Sequence, residues 1–508
     1  MTNHNRVGII DIGSNSIRLV INEETVHGAH HVIDESKESA RLSEKIGPDG
    51  ILRLEDQQTL CQTLNYFKKM CEANRTSIIR AVATAAIRNA TNSKDILSFV
   101  EQNTGLKIEL LSGEEEARLG FLGMINSLDL KDGFLVDIGG GSTEITLFQN
   151  RELVKSISFP FGSVNTTKRY TRNGDLNIED IESIHSMVTN ALVNQKSWLQ
   201  SRKGLPLVGL GGSIRNICKL DQRQRKYSLP LTHNYDMEVS SVDRLMEQLS
   251  TLSVENRKKI EGMSKDRADI IVPGLIILQT IFRFVGASYY KISGSGIRDG
   301  IYYETVYPHQ PKIEHVLNHS VRNLLALHPS VPVVHVRHVN NLALTLFDEM
   351  KVSQTLGGRS RDYLNVASLL HRIGVTVLYY EYAKHTFYLM AHSRIDGLSH
   401  REILICAFIA SYKNKNRTKK MCLEYKDILS DTDFYMIEKL GIILQLAIAL
   451  DRSETQPVQS ISAAIIKKEL QLHLDCSHPP VIEWRQVHQI QKEFKKIWEL
   501  QIILTSTL

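Results

Sequence analysis

One strand–turn–strand design occurs twice in this chain, and it constrains the fold more than any other feature. Leu135 to Phe148 reads LVDIGGGSTEITLF. An apolar run enters, three glycines turn the backbone, and an alternating run leaves. Val7 to Ile21 reads VGIIDIGSNSIRLVI. Placing Asp11 on Asp137 brings Ile12, Gly13 and Ser16 onto Ile138, Gly139 and Ser142 without a gap. Each copy opens with an acid and closes in small hydrogen-bonding residues. Glycine lets backbone N–H groups approach an anion closely, because no Cβ stands in the way. An ordinary glycine-rich hairpin accounts for one copy, but packing alone does not explain a repeated one. Two such loops facing each other would clamp a phosphate chain. Leu207 to Ile217 (LVGLGGSIRNI) has the same apolar entry with Gly211, Gly212 and Ser213 at its turn, and Ile292 to Gly300 carries Arg298.

Between and beyond these loops, strand-like and helix-like periods alternate, which predicts an α/β protein. Residues 7–33 read as a β-meander, with Arg18 on its second strand. Residues 54–74 have helical apolar spacing at Leu60, Leu64, Phe67 and Met70. A strand at 78–83 leads into a small-residue turn carrying Arg88, well placed near a helix start to meet an anion. Strands near 153–159, 207–210 and 289–292 and helices near 178–203, 242–252 and 273–285 complete a second half. The reading is two related lobes with a ligand cleft between them.

The stretch LSGEEEARLGFLG, residues 111–123, opens a helix. Ser112 followed by Glu115 is a capping box, and Glu114 can pair with Arg118 along the helix. Three adjacent carboxylates ahead of a phosphate loop also suit a hydrolase, in which one takes a proton from water. Both readings of Glu115 stand at this point.

At 508 residues the chain is too long for one core, and its 42% hydrophobic and 23% charged residues are those of a globular protein. Four segments are expected, 1–130, 131–306, 307–450 and 451–508. No secretory signal pattern precedes the first strand and no apolar run reaches membrane-spanning length. The 6 cysteines lie far apart with no CxxC pair. This excludes a zinc or disulfide framework and predicts a cytoplasmic location. The net charge of +5 lies wholly beyond residue 310. That part reads as helices at 315–327, 336–351, 361–382, 400–412 and 431–449, with strands only around 460–474 and 502–505. Lys413–Lys420 holds five positive charges with no apolar period and reads as a solvated loop.

The motifs DIGSNSIRL, ATAAIRNA, SGEEEARLG, VDIGGGSTE, GLGGS and SGIRDG, in this order, resemble those of the exopolyphosphatase/guanosine pentaphosphate phosphohydrolase family. That family belongs to the superfamily of sugar kinases, heat-shock chaperones and actin. The resemblance implies two ribonuclease-H-like, actin-like lobes with a cleft, a helical HD-like domain and a small C-terminal α+β part. It implies an exopolyphosphatase that releases orthophosphate from the end of inorganic polyphosphate. The alternatives are a pppGpp 5′-phosphohydrolase and a non-enzymatic sensor of polyphosphate or guanosine polyphosphates.

By the same resemblance Glu115 is the base, and Asp137 and Glu144 orient water and hold a divalent metal, with Asp11 a further metal contact. Mg2+ is the implied cofactor, with another divalent or a monovalent cation as further candidates. Gly13, Ser14, Asn15 and Ser16 form one phosphate loop and Gly139, Gly140, Gly141, Ser142 and Thr143 the other. Arg88, Gly211, Gly212, Ser213 and Arg298 add phosphate contacts. A homodimer with a basic passage for polyphosphate is implied, without membrane or nucleic-acid partners. In the helical region His371 is followed by Arg372 where HD proteins have Asp. Because arginine cannot ligate a metal, His371 and His385 read as structural, and the domain, whose helix 336–351 carries His338, as one that binds and dimerises.

Overall fold

The computed structural model describes residues 5–172 and 174–507. It divides into two units, Met1–Val316 and Leu317–Leu508.

In the first unit, β1 (Asn5–Ile12), β2 (Ile17–Glu24), β3 (His30–Glu38), β4 (Ile78–Ala83) and β5 (Ile108–Leu110) form one sheet in the order β3-β2-β1-β4-β5. The first three are an antiparallel meander, and β4 and β5 add in parallel. A parallel neighbour needs a crossover. The helix Leu54–Ala73 supplies it, burying Leu60, Leu64, Phe67 and Cys71 as one stripe against the sheet. The second sheet contains β6 (Gly133–Ile138), β7 (Thr143–Gln149), β8 (Glu152–Phe159), β9 (Leu207–Leu210), β10 (Tyr235–Met237) and β11 (Tyr290–Ile292), ordered β10-β11-β9-β6-β7-β8. Its β8-β7-β6-β9-β11 portion repeats the first sheet strand for strand, with the helix Ile178–Val193 on the β6–β9 crossover and β10 added antiparallel at the edge. The duplication of the hairpins is thus a duplication of whole sheets.

The helix Gly113–Ile125 joins the two sheets through different faces. Leu119 and Leu122 pack with Val7, Ile9 and Val82 of the first sheet, while Phe121, Met124 and Ile125 pack with Leu135, Phe148 and Val208 of the second. The helix Ile297–Val306 follows the second sheet in sequence but returns to the first, adding Ile301, Tyr302 and Tyr303 to its core. It lies close along Gly113–Ile125 because both carry glycine at the crossing. A Cβ on Gly300 would strike the Leu119 carbonyl, and one on Gly123 the Gly296 carbonyl. A lobe boundary at residue 306 therefore does not describe this helix, whose apolar face is spent on the first lobe.

The second unit is a helical bundle that includes Val333–Glu349, Ser360–Leu370, Tyr382–His392, His400–Ala410 and Asp431–Ala449. A small sheet follows, β12 (Val458–Ile466), β13 (Glu469–Cys476) and β14 (Gln501–Thr507). Strands β12 and β13 pair antiparallel, and β14 joins β13 in parallel across the helix Val481–Trp498. Strand β13 alternates strictly, with Leu470, Leu472, Leu474 and Cys476 inward. Two expectations are corrected. The helix over 361–382 breaks after Leu370 and resumes at Tyr382. Gly374 lies against the Tyr382 carbonyl and the Thr386 amide, an approach closed to a helix running straight through. The segment 413–420 is not a loop, since Lys415–Cys422 is helical. Asn414 caps its start by accepting from the Arg417 amide at 3.0 Å. Ion pairs of Lys415 with Glu438 (3.0 Å) and of Arg417 with Glu381 (3.5 Å) replace the missing apolar stripe.

Candidate active site

The turns of the two hairpins are built alike. The Gly13 amide donates to the Ser16 carbonyl at 3.2 Å, and the Gly139 amide to the Ser142 carbonyl at 3.0 Å. They also touch. A Cβ on Gly140 would lie 2.9 Å from the Ser14 Cβ, and one on Gly141 2.7 Å from the Ser14 Oγ. These glycines are needed for loop-to-loop approach. Gly211 is needed for another reason: its φ of +92° favours glycine, and a Cβ there would crowd the Asp137 carboxylate at 2.8 Å.

Together these turns enclose a cavity of about 140 Å3. Of the residues singled out from sequence, Asp11, Gly13, Ser14, Asn15, Ser16, Asp137, Gly139, Gly140, Gly141, Ser142, Gly211, Gly212 and Arg298 line it. Backbone N–H groups at the start of the helix Gly211–Gln224 lie at its wall, where the helix dipole favours an anion. The Asn15 side chain is buried, and neither its oxygen nor its nitrogen has a partner. A buried amide left unpaired in this way is suited to a ligand that supplies the missing bonds.

Five predicted residues stand elsewhere. Glu115 is exposed and does not line the cavity. Its carboxylate accepts from the Ser112 amide at 2.8 Å while the Ser112 side chain accepts from the Glu115 amide, a closed capping box. These bonds hold its pKa below the ordinary value. One residue further round the helix, Glu116 points into the cavity. Of the two carboxylates it is Glu116 that lines the cavity, while Glu115 is engaged in the cap. Arg88 is not on the cavity wall; it donates to Glu116 at 2.9 Å and to the Leu111 carbonyl at 2.8 Å, fixing the carboxylate from behind. Thr143 is buried and donates to the Phe161 carbonyl at 2.7 Å. Ser213 lies behind the third loop, 3.4 Å from Arg267. Glu144 is buried behind the wall, with Oε1 accepting from Ser158 at 2.7 Å and Oε2 unpartnered.

Three arginines complete the lining without having been selected from sequence: Arg18, Arg215 and Arg267. Arg18 stands opposite Asp11 in the β1–β2 pairing. Arg215 is four residues beyond Gly211, on the first turn of the helix that starts there, and that spacing is a usable signal. Arg267, in the short turn Lys265–Arg267, has no local signal. It passes over Gly212, where any Cβ would strike its guanidinium.

The electrostatics divide the acids from the bases. Burial pushes Asp137 up to about 6, against the pull of Arg215 and with the help of Asp11. Burial pushes Glu116 up to about 7; the Arg88 pair opposes this, and the charges of Asp137 and Asp11 add to it. Glu144 is raised well above its ordinary value, by burial and then by Glu116 and Asp137. Arg18 falls to about 10 through burial and the nearby Arg298 and Arg215, and Arg267 to about 10 through burial and Arg18. Acids with raised pKa beside crowded guanidiniums mark a site that is electrostatically incomplete without a polyanion.

Duplicated meander sheets with paired glycine turns at a central cavity define a two-lobed, phosphate-binding α/β protein of the actin-like kind. The model of the Ppx/GppA phosphatase family matches residues 19–309, and that of Ppx/GppA phosphatase, domain III, matches residues 316–493. The chain belongs to the Ppx/GppA phosphatase family. Among solved structures, an exopolyphosphatase from Cytophaga hutchinsonii is similar in fold at 21% identity and a TM-score of 0.57, over 61% of this chain and 100% of that one. The Aquifex aeolicus member of the Ppx/GppA family is 26% identical with a TM-score of 0.53, over 60% of this chain and 99% of that one. Among the described residues no helix is long and apolar enough to cross a membrane.

Proposed function

We propose that this cavity hydrolyses the terminal phosphoanhydride of inorganic polyphosphate. The observation that carries the proposal is the convergence of two facing glycine turns, four arginines and one carboxylate whose pKa lies near 7 on a single cavity. The terminal phosphoryl group rests against the turn N–H groups and Ser14, Ser16 and Ser142. Glu116, held by Arg88, accepts a proton from a water molecule. The water oxygen forms a bond to phosphorus as the bridging P–O bond breaks. The shortened chain keeps the bridging oxygen, and orthophosphate leaves. Arg18, Arg215, Arg267 and Arg298 offset the charge that builds on the departing oxygen. A pKa near the working pH suits a general base, which must be deprotonated to act yet still take a proton.

Among the described residues no three His, Cys, Asp or Glu side chains form a metal cage. Magnesium does not require one, since it is commonly held by one or two carboxylates together with substrate oxygens and water. Asp11 and Asp137 fit that role. Both line the cavity, both are raised by burial, and a cation would relieve them. Glu144, with an unpartnered buried oxygen, stands behind them as a further acceptor. When bound, Mg2+ would neutralise phosphate charge.

The choice of polyphosphate over pppGpp rests on the lining, which among the described residues contains no aromatic side chain to stack on a base. Phosphate release from long-chain polyphosphate and from pppGpp, each with and without Mg2+, tests the proposal. Faster release from polyphosphate is expected. Preference for pppGpp by tenfold or more would overturn the substrate, and release from neither would overturn the enzyme.

A further inference from the structure

The second unit holds a cavity of about 360 Å3, within the roughly 300–1,000 Å3 of small-molecule sites. His335 and Arg372 line it, and the His335 Nδ1 lies 2.7 Å from the carboxylate of Asp451. Two buried donors on this wall have no acceptor: the Arg372 Nε and the Tyr412 hydroxyl. Buried donors are rarely left unpaired, and here both border the same space. Lys413 and Arg452 add positive charge.

Arg372 and Lys413 each have one carboxylate partner. The Arg372 Nη2 donates to Glu454 at 2.7 Å, and Lys413 lies 3.4 Å from Glu381. Both carboxylates are carried on left-handed backbone, at φ values of 58° and 59°, a conformation that L residues adopt at a cost. The Arg372 Nε and the Tyr412 hydroxyl remain for an incoming anion beside these pairs. The rim is aromatic. Tyr379 and Tyr380 are 57% and 76% exposed although both border the cavity, and the Arg372 guanidinium lies 4.7 Å from the Tyr382 ring centre. Large exposed rings at a cavity mouth offer faces for a planar group.

We propose that this cavity binds a nucleotide, its phosphate taken by Arg372, Lys413 and Arg452 and its base laid against the rim tyrosines. It is a binding site and not a second hydrolytic centre, since Arg372 stands where HD proteins have Asp and arginine cannot ligate a metal.

Calorimetric titration of the full chain with AMP and GMP, and with inorganic phosphate and adenosine as half-ligands, tests this. At least one nucleotide is expected to bind ten times more tightly than either half-ligand. Arg372→Gln should weaken that binding at least tenfold. Tyr379→Ala, at an exposed position that folding does not need, should weaken it about threefold to tenfold. Phosphate release at the first unit's cavity should be unchanged in both variants. Nucleotide binding that neither variant alters would overturn the site. Phosphate binding as tightly as AMP would overturn the role of the tyrosines, and with it the nucleotide.

Discussion

Glu116→Gln tests whether Glu116 is the base in place of Glu115, the residue expected from sequence. The substitution keeps size and shape and can keep a hydrogen bond to Arg88, but it cannot accept a proton from water. A general base contributes about 10²–10⁴-fold, or roughly 3–5 kcal/mol of barrier at about 1.36 kcal/mol per tenfold. Turnover of polyphosphate should fall by that factor. Affinity should change little, because the turn N–H groups, hydroxyls and arginines remain. With the Glu116 pKa near 7, roughly one molecule in ten carries the free base at pH 6. The wild-type rate should therefore rise about tenfold per pH unit below pH 7 and level off above it. Glu115→Gln should leave that profile in place. Gln can still accept from the Ser112 amide, so only the charge at the helix start is lost, at a cost of about 0.3–1 kcal/mol of stability. The assay is steady-state phosphate release from pH 5 to 9, with urea unfolding of both variants. Loss of turnover in Glu115→Gln, with more than a tenth retained in Glu116→Gln, would refute the assignment. So would a flat profile across pH 7.

Three further outcomes follow from the same cavity and its support. The folded pKa of Asp137 is about 6 against an ordinary 3.8, so the folded state holds this proton more tightly and stability is lost as pH rises from about 4 to 6. Asp137→Asn escapes that loss and should stabilise the metal-free chain by about 2–3 kcal/mol at pH 8 but not at pH 4, while abolishing turnover; an equal gain at both pH values would contradict it. Asn15→Ala removes a buried amide whose unmet bonds cost about 1–3 kcal/mol, so the urea midpoint should hold or rise while the KM for tripolyphosphate climbs roughly tenfold, and an unchanged KM would show that Asn15 does not meet substrate. Gly300→Ala drives a methyl group into the Leu119 carbonyl and should cost about 1–3 kcal/mol in urea unfolding; no loss would mean that the two helices part readily.

The sheets were legible because their determinants are local. An acid, a glycine turn and a serine at fixed spacing specify the hairpin, and an amphipathic helix before the next apolar run specifies a parallel crossover. Cavity residues on the turns were found for the same reason. What stayed hidden depends on contacts distant in sequence. The return of Ile297–Val306 to the first sheet follows from glycines meeting at a crossing, which neither helix announces alone. Glu116 was hidden by its neighbour, although Ser112 already implied that Glu115 would be engaged as a cap. The helix Lys415–Cys422 has no apolar period, since its stability comes from the Asn414 cap and from Glu438 and Glu381.

The arginines show why such a cavity is assembled from many segments. Arg18 comes from β2, Arg215 from the helix Gly211–Gln224, Arg267 from the turn Lys265–Arg267 and Arg298 from the helix Ile297–Val306. Their own protein contacts are long. Arg18 reaches Ser16 at 3.4 Å, Arg215 the Gly211 carbonyl at 3.3 Å, Arg267 Ser213 at 3.4 Å, and Arg298 lies 4.0 Å from Asp11. Burial, and after it the like charges of neighbouring arginines, lowers the pKa values of Arg18, Arg215 and Arg267. The fold meets this cost through the cores of the two sheets, which hold each segment independently. A polyanion entering the cavity would relieve the repulsion, so that binding energy and preorganisation would come from one arrangement. Confining the cations to a single loop would let that loop move away to escape the repulsion. Distributing them over both sheets and the connecting helices keeps them facing the cavity.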